Sequence, residues 1–341
     1  MPLPVLTELL NRHDLQSTLA NAPDSKRAAF ASYDNIRPFL VPRRRWSADE
    51  AKCLFRYRDF VNFLYTFNFT GLLFHTADDI RLLVHGVLGE LARQRVVYAE
   101  ICISAIEYVA RGIPLQEIVI CLEEASEHPR TRVQWVVDLV RDFGPESALA
   151  QLRELISLSS PAVIGITLGG SEDCLPAGEF REVYALAREH GLRLSVHAGE
   201  ALGPKSVWEA LETLRPERIG HGVRAIEDPA LVAHLAARQI PLEVCPTSNI
   251  VTGAYPSLEA HPVRALFEAG VPITINSDDP TFFHTTLADE YACLPVLGFS
   301  DRDVLELLRN GFRYAFLPKR QISQYLSGLD REWERVTRTA A

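Results

Sequence analysis

The residues best suited to chemistry begin at His197, inside Leu192–Glu200, LRLSVHAGE. Leu192 to Val196 read as a buried strand, and the run stops at His197-Ala198-Gly199-Glu200. An imidazole, two small residues that leave room and a carboxylate three positions on make a compact chemical kit. Groups of the same kind close other short apolar runs. His221 follows Arg218–Gly220, Asp278 and Asp279 follow Pro272–Ser277, Glu172 follows Gly169-Gly170, and Pro246, Ser248 and Asn249 follow Pro241–Cys245. Each alone has an ordinary explanation, since a strand-end Asp often caps a helix and a Gly-Gly often makes a tight turn. Histidines and carboxylates together at the strand ends of one sheet call for more.

That set suits hydrolysis assisted by a divalent metal. His197 and Asp278 supply N and O ligands of the kind zinc accepts. A metal lowers the pKa of its water toward neutrality, so hydroxide becomes available at physiological pH. His221 would hold or deprotonate that water, and Glu200 would be left to carry a proton to the substrate. The adjacent Asp278 and Asp279 resist double ionisation unless a cation neutralises one of them. The lysines are Lys26, Lys52, Lys205 and Lys319, none at a strand end. A dinuclear site on a carbamylated lysine is therefore excluded, and a mononuclear one is expected.

Elements that position these groups follow from the periodicity. Residues 1–60 read as helical and irregular, with Leu6, Leu9 and Leu10 on one face and a capping box opening at Ser47. A helix opens at Thr76 and runs to about Arg95, with Ile80, Leu83, Val87 and Leu91 at helical spacing. Strands are expected at Val96–Ser104, Thr131–Val140, Ala162–Leu168, Leu192–His197, Arg218–His221, Pro241–Cys245 and Pro272–Ser277. Helices fall between them near 114–127, 145–158, 177–190, 204–215, 228–238 and 260–269. This alternation implies a parallel α/β sheet with right-handed crossovers, and its strand number favours a (β/α)8 TIM-type barrel over a doubly wound sheet. One strand is short of the count. No linker or repeat interrupts the pattern, so residues 1–341 are read as a single domain, with 96–317 as its alternating part.

Bulk composition agrees with that reading. The 341 residues carry 47% hydrophobic side chains and a formal net charge of −9, and no Lys/Arg cluster exceeds Arg43-Arg44-Arg45. Nucleic acid and anionic membranes are thus poor partners, and a small molecule is the expected one. The six cysteines are scattered without a CxxC pair, most in apolar runs, as buried thiols of a cytosolic protein would be. Neither a signal peptide nor a run of transmembrane length is present, so a cytoplasmic protein is expected.

Four motifs carry a resemblance. Ser-Val-His-Ala-Gly-Glu (195–200), Arg-Ile-Gly-His-Gly (218–222), Glu-Val-Cys-Pro-Thr-Ser-Asn (243–249) and Ile-Asn-Ser-Asp-Asp-Pro (275–280) closely resemble the adenosine deaminase family of the amidohydrolase superfamily. The resemblance runs from about Asp59 to Leu317, in order and with family-like spacing. It implies a (β/α)8 barrel with one Zn2+, and replacement of the amino group of a purine by oxygen. By motif, His197 and Asp278 would bind zinc, Glu200 would protonate the purine at N1, His221 would act on the activated water, and Asp279 would hydrogen-bond N7. The turn Leu168–Glu172 matches the family segment whose backbone N–H, here that of Gly170, meets the purine ring.

Two departures bear on this. The family begins with a strand ending His-x-His, which supplies two further zinc ligands, and no His-x-His occurs in this sequence. Met1–Leu6 looks like the segment just after that strand, so the pair is expected immediately before Met1. Thr167 stands where typical members carry Asp. Together with Tyr108–Pro114, similar to relatives that deaminate larger adenosine derivatives, it leaves the substrate open. The first expectation is adenosine or a related 6-aminopurine nucleoside, giving inosine and ammonia. The alternatives are aminodeoxyfutalosine or adenine, or a non-catalytic nucleoside-binding homologue lacking the His-x-His ligands.

Overall fold

The computed structural model describes residues 1–341 apart from 21–23, 42–44, 59, 127 and 341. Arg43 and Arg44 of the basic triplet, and Asp59 at the start of the resemblance, lie outside the described residues. Seven strands follow one another in chain order through one parallel sheet: β1 (Tyr98–Ile103), β2 (Arg132–Asp138), β3 (Val163–Thr167), β4 (Arg193–Ala198), β5 (Arg218–His221), β6 (Leu242–Val244) and β7 (Ile273–Ile275). Every one lies where the apolar runs placed it. Helices Leu115–Ser126, Gly144–Leu158, Arg181–Glu189, Pro204–Thr213, Pro229–Arg238 and Val263–Glu268 separate them. This is the α/β arrangement of a (β/α)8 barrel with one strand missing, and among the described residues no strand precedes Tyr98.

The chain falls into two compact units. The first holds Met1–Trp135, Glu154–Val163 and Asp279–Thr285, and the second holds the remainder. In the first, helix Leu3–Arg12 buries Val5, Leu6, Leu9 and Leu10, the face its leucine spacing implies. Ser47 and Thr76 each close a capping box on the acidic residue three positions on. An aromatic cluster of Phe55, Phe63, Phe67, Phe282 and Phe283 anchors the 279–285 segment, with ring centroids 5.1–6.3 Å apart.

The second unit carries β3 from Ile164 onward and β4 to β7, and its register sets what meets at the strand ends. Val196 lies beside Ile219, His197 beside Gly220 and Ala198 beside His221. Val244 lies beside Ile275. One strand face is more polar than the apolar runs suggested. Ser195 donates to Glu243 at 2.7 Å, Glu243 pairs with Arg218 at 2.9 Å, and the Arg218 guanidinium lies 3.5 Å from the Phe316 ring centre.

The cysteines correct one expectation. Only Cys121 and Cys245 are buried, Cys53 and Cys293 are intermediate, and Cys102 and Cys174 are exposed. An apolar run does not say which face of a strand is covered, and Cys102 sits on the open face of β1. No helix among the described residues is long and apolar enough to cross a membrane.

Candidate functional site

His197 ends β4 in a backbone held from two sides. Its N–H donates to Leu168 at 3.1 Å, and its carbonyl accepts from the buried Arg141 guanidinium. On the neighbouring strand Gly220 leaves room for the ring, since a Cβ there would stand a tight 3.1 Å from His197. Thr167 Oγ1 lies 3.5 Å from His197 Nδ1. That contact occupies one ring nitrogen and leaves Nε2 for a ligand, the usual division in metal-binding histidines.

Glu200 stands in the loop that follows, and the carboxylate of Glu172 organises that loop. Glu172 accepts from the N–H groups of Gly199 (2.6 Å), Glu200 (3.2 Å), Ala201 (2.8 Å) and Leu202 (2.8 Å), and from the Ser206 hydroxyl. Glu172, read at first as one of the strand-end reactive groups, is 7% exposed and saturated by donors, so it is an anchor. Glu200 Oε1 accepts from Thr252 at 3.0 Å and from Asn249 at 3.5 Å. Its Oε2 lies 3.4 Å from His221 Nε2.

His221 and Asp278 share an uncommon backbone. Their φ values are 58° and 52°, in the left-handed region that non-glycine residues rarely adopt. Such conformations cluster where the surroundings impose an orientation. The Asp278 carboxylate accepts the Ser248 hydroxyl at 2.7 Å and lies 3.9 Å from His221 Nε2. Burial, the largest influence on His221, pulls its pKa down, but Glu200, Asp278 and more distant carboxylates outweigh it and the net direction is up. The His197 and His221 rings lie 5.2 Å apart, centre to centre. Cys245 joins them: one donor atom each from His221, Cys245 and Asp278 fall within 4.8 Å of one another. Burial, reinforced by Asp278 and Glu200, pushes the Cys245 thiol well up. Nitrogen, oxygen and sulfur donors gathered in this way fit zinc.

The glycine turn after β3 is also built by carboxylates. Asp138 accepts from Val140 (3.1 Å) and Gly169 (2.7 Å), and Asp142 from Ser171 (2.9 Å). Gly170 has φ 83°, and a Cβ there would run into Asp142. Asp279 belongs to the first unit. There it interacts electrostatically with the Met1 amino group and with the Tyr57 and Tyr108 hydroxyls. Burial lowers the amino pKa and, with Asp279, raises both phenols.

The second unit therefore brings His197, Glu200, His221 and Asp278 together, with Gly170 on a turn of the same unit. Arg141, Asp138, Asp142, Thr252, Cys245 and His261 were missed as site-building residues. Cys245 and Thr252 had a signal, the continuous stretch that follows β6; the others act across long sequence separations and had none.

A family model described as adenosine deaminase matches residues 38–332. An aminodeoxyfutalosine deaminase of Streptomyces coelicolor is 41% identical over 270 residues, covering 77% of this chain and 70% of that protein. An adenine deaminase of Rhizobium meliloti is 36% identical over 278 residues, covering 80% and 86%. Among solved structures, the adenine deaminase of Arthrobacter aurescens superposes with a TM-score of 0.79 at 28% identity, covering 91% of this chain and 94% of that one.

Proposed function

Because this chain belongs to the adenosine deaminase family, we propose that it hydrolyses the exocyclic C–N bond of a 6-aminopurine, with an aminodeoxyfutalosine-type nucleoside as substrate. The observation that carries this is the row of Glu200, His221 and Asp278. Glu200 Oε2 lies 3.4 Å from His221 Nε2, and that nitrogen lies 3.9 Å from Asp278 Oδ2. Adenosine, the first expectation, gives way on substrate identity, since these relatives are named for aminodeoxyfutalosine and adenine. Adenine is the second reading, favoured by the match to two adenine deaminases over most of their lengths.

In the proposed reaction water adds at C6, N1 gains a proton, the amino group leaves as ammonia and a C6 carbonyl remains. Glu200 gives N1 its proton, which makes C6 electrophilic. His221 faces the attacking oxygen. Gly170 offers its N–H to the ring, and Asp279, next in the chain after Asp278, is assigned to N7. Zinc held by His197 and Asp278 would, when bound, lower the pKa of water and polarise it. The sequence contains no His-x-His, and the donors the described residues provide in this place, beside the His221 that faces the water, are His197, Cys245 and Asp278.

Ammonia release tests the reading. Zinc-supplemented protein should deaminate aminodeoxyfutalosine with the highest kcat/KM, and adenine and adenosine less well. A chelator should abolish turnover and zinc restore it. Binding of these purines without ammonia release from any of them would leave the non-catalytic homologue as the function.

A further inference from the structure

Only one of the two ring nitrogens of His221 faces the proposed chemistry. Nε2 looks toward Glu200 at 3.4 Å and Asp278 at 3.9 Å, while Nδ1 meets the Asn249 side-chain nitrogen at 3.2 Å. Which nitrogen carries the proton follows from a chain of hydrogen bonds that ends on a backbone group. The Val263 N–H can only donate, and it points at His261 Nδ1 across 3.2 Å. His261 Nδ1 is therefore an acceptor, and the proton of neutral His261 sits on Nε2. That Nε2 lies 3.2 Å from Asn249 Oδ1, so the Asn249 oxygen faces His261 and its NH2 faces away.

A second contact agrees with the same orientation. The Asn249 NH2 is 3.5 Å from Glu200 Oε1, the same oxygen that accepts the Thr252 hydroxyl. The NH2 thus donates to His221 Nδ1. Both relay members are buried, Asn249 at 0% and His261 at 5% exposure, so neither is free to rotate toward solvent partners. Around His261 lie the Tyr255 ring, 5.3 Å between centres, and the Asn249 amide. Burial, together with His221 when that ring is protonated, holds the His261 pKa down to about 4. His261 stays neutral at working pH.

We propose that the His261–Asn249 relay locks His221 in the Nε2–H tautomer, so that His221 donates a hydrogen bond to the attacking oxygen and does not serve as the base that deprotonates it. The consequence for turnover rests on the deaminase reading above; the tautomer itself does not. A base at Nε2 would need the proton on Nδ1, opposite the Asn249 NH2, donor against donor in a buried place. A fixed N–H instead stabilises the hydroxide formed when the attacking water gives up a proton to Glu200, the carboxylate 3.4 Å away that hands a proton on to N1. Asn249 and His261 are then positioning residues acting through His221.

Nitrogen NMR on protein labelled with 15N-histidine tests the tautomer directly. At mildly alkaline pH, His221 and His261 should each show a pyrrole-like Nε2 and a pyridine-like Nδ1. A protonated Nδ1 on His221 overturns the proposal, whatever the protein does to purines. Turnover tests the consequence with two variants. His261→Leu fills the space but removes the donor, and should lower kcat by roughly 10- to 100-fold with KM nearly unchanged, the size of effect outer-shell partners have. His261→Gln supplies an N–H near the same place and should recover most of that loss. Equal losses in both variants would mean His261 only packs, and no loss in either would mean the relay is idle; each result overturns the proposal. Absence of deamination in the unaltered protein bears on the proposed function alone, since the NMR reading stands apart from it.

Discussion

Glu200 takes the Thr252 hydroxyl at 3.0 Å on one oxygen and looks across 3.4 Å at His221 with the other. A carboxyl between a donor and an imidazole can hold and release a proton without leaving its place. Glu200→Gln keeps the shape and a hydrogen-bonding oxygen but has no proton of the right acidity to transfer. If Glu200 protonates N1, turnover should fall by about 10²–10⁴-fold, with zinc content and binding of a ground-state purine analogue little changed. Steady-state kinetics beside metal analysis checks this. A variant keeping more than about a tenth of the unaltered turnover, a loss far below general acid catalysis, would remove Glu200 from that role. The left-handed φ of His221 and Asp278 belongs to the same scale. Two non-glycine residues take that conformation at the ends of β5 and β7, and their side chains stand 3.9 Å apart.

The loop after β4 is an element with almost no regular structure of its own, and Glu172 supplies what it lacks. One carboxylate oxygen takes the Gly199 N–H and the Ser206 hydroxyl, and the other takes the N–H groups of Glu200, Ala201 and Leu202. Glu172→Gln turns one of those acceptors into a donor facing donors. The expected result is a loss of about 1–3 kcal/mol of stability in denaturant titration, the cost of leaving buried donors unmet. A drop in kcat should accompany it although Glu200 itself is untouched. Unchanged turnover with lowered stability would show that Glu200 keeps its place without this anchor. Arg141 does for the carbonyl of His197 what Glu172 does for the N–H groups beyond it. His197 and Glu200 are thus oriented by two oppositely charged side chains from the segments after β2 and β3.

At the scale of the whole molecule, buried neutral histidine should leave a mark on acid stability. His261 has its pKa lowered from 6.5 to about 4 by burial and by His221. Above pH 6.5 it is neutral whether the chain is folded or not and contributes no slope. As pH falls from 6.5 toward 4, the unfolded chain takes up a proton that the folded chain refuses, so stability declines through that window. The full effect is roughly 3 kcal/mol at the low end. Unfolding titrations across that window should show a shallower decline for His261→Gln than for the unaltered protein. Parallel curves would mean that His261 is accessible to protons in the folded state.

Much of the fold was legible because strand and helix periods are local properties. Short apolar runs alternating with amphipathic stretches located all seven strands to within two residues at each end, and capping boxes at Ser47 and Thr76 marked helix starts. The candidate site residues His197, Glu200, His221 and Asp278 could be located as well, since in a parallel sheet they stand at strand ends, where the pattern breaks. What sequence could not reach is what depends on register and on distant partners. Side chains 12 and 28 residues from Asn249 meet it as His261 and His221, and no spacing rule connects them. Glu172 looked like one more reactive carboxylate until its donors were in place, and the apolar runs concealed the Ser195–Glu243–Arg218 layer. A run of residues determines that a strand forms and where it stops. Only the packed sheet decides which polar groups face each other, because hydrogen-bond partners are chosen by distances of about 3 Å that no local pattern encodes.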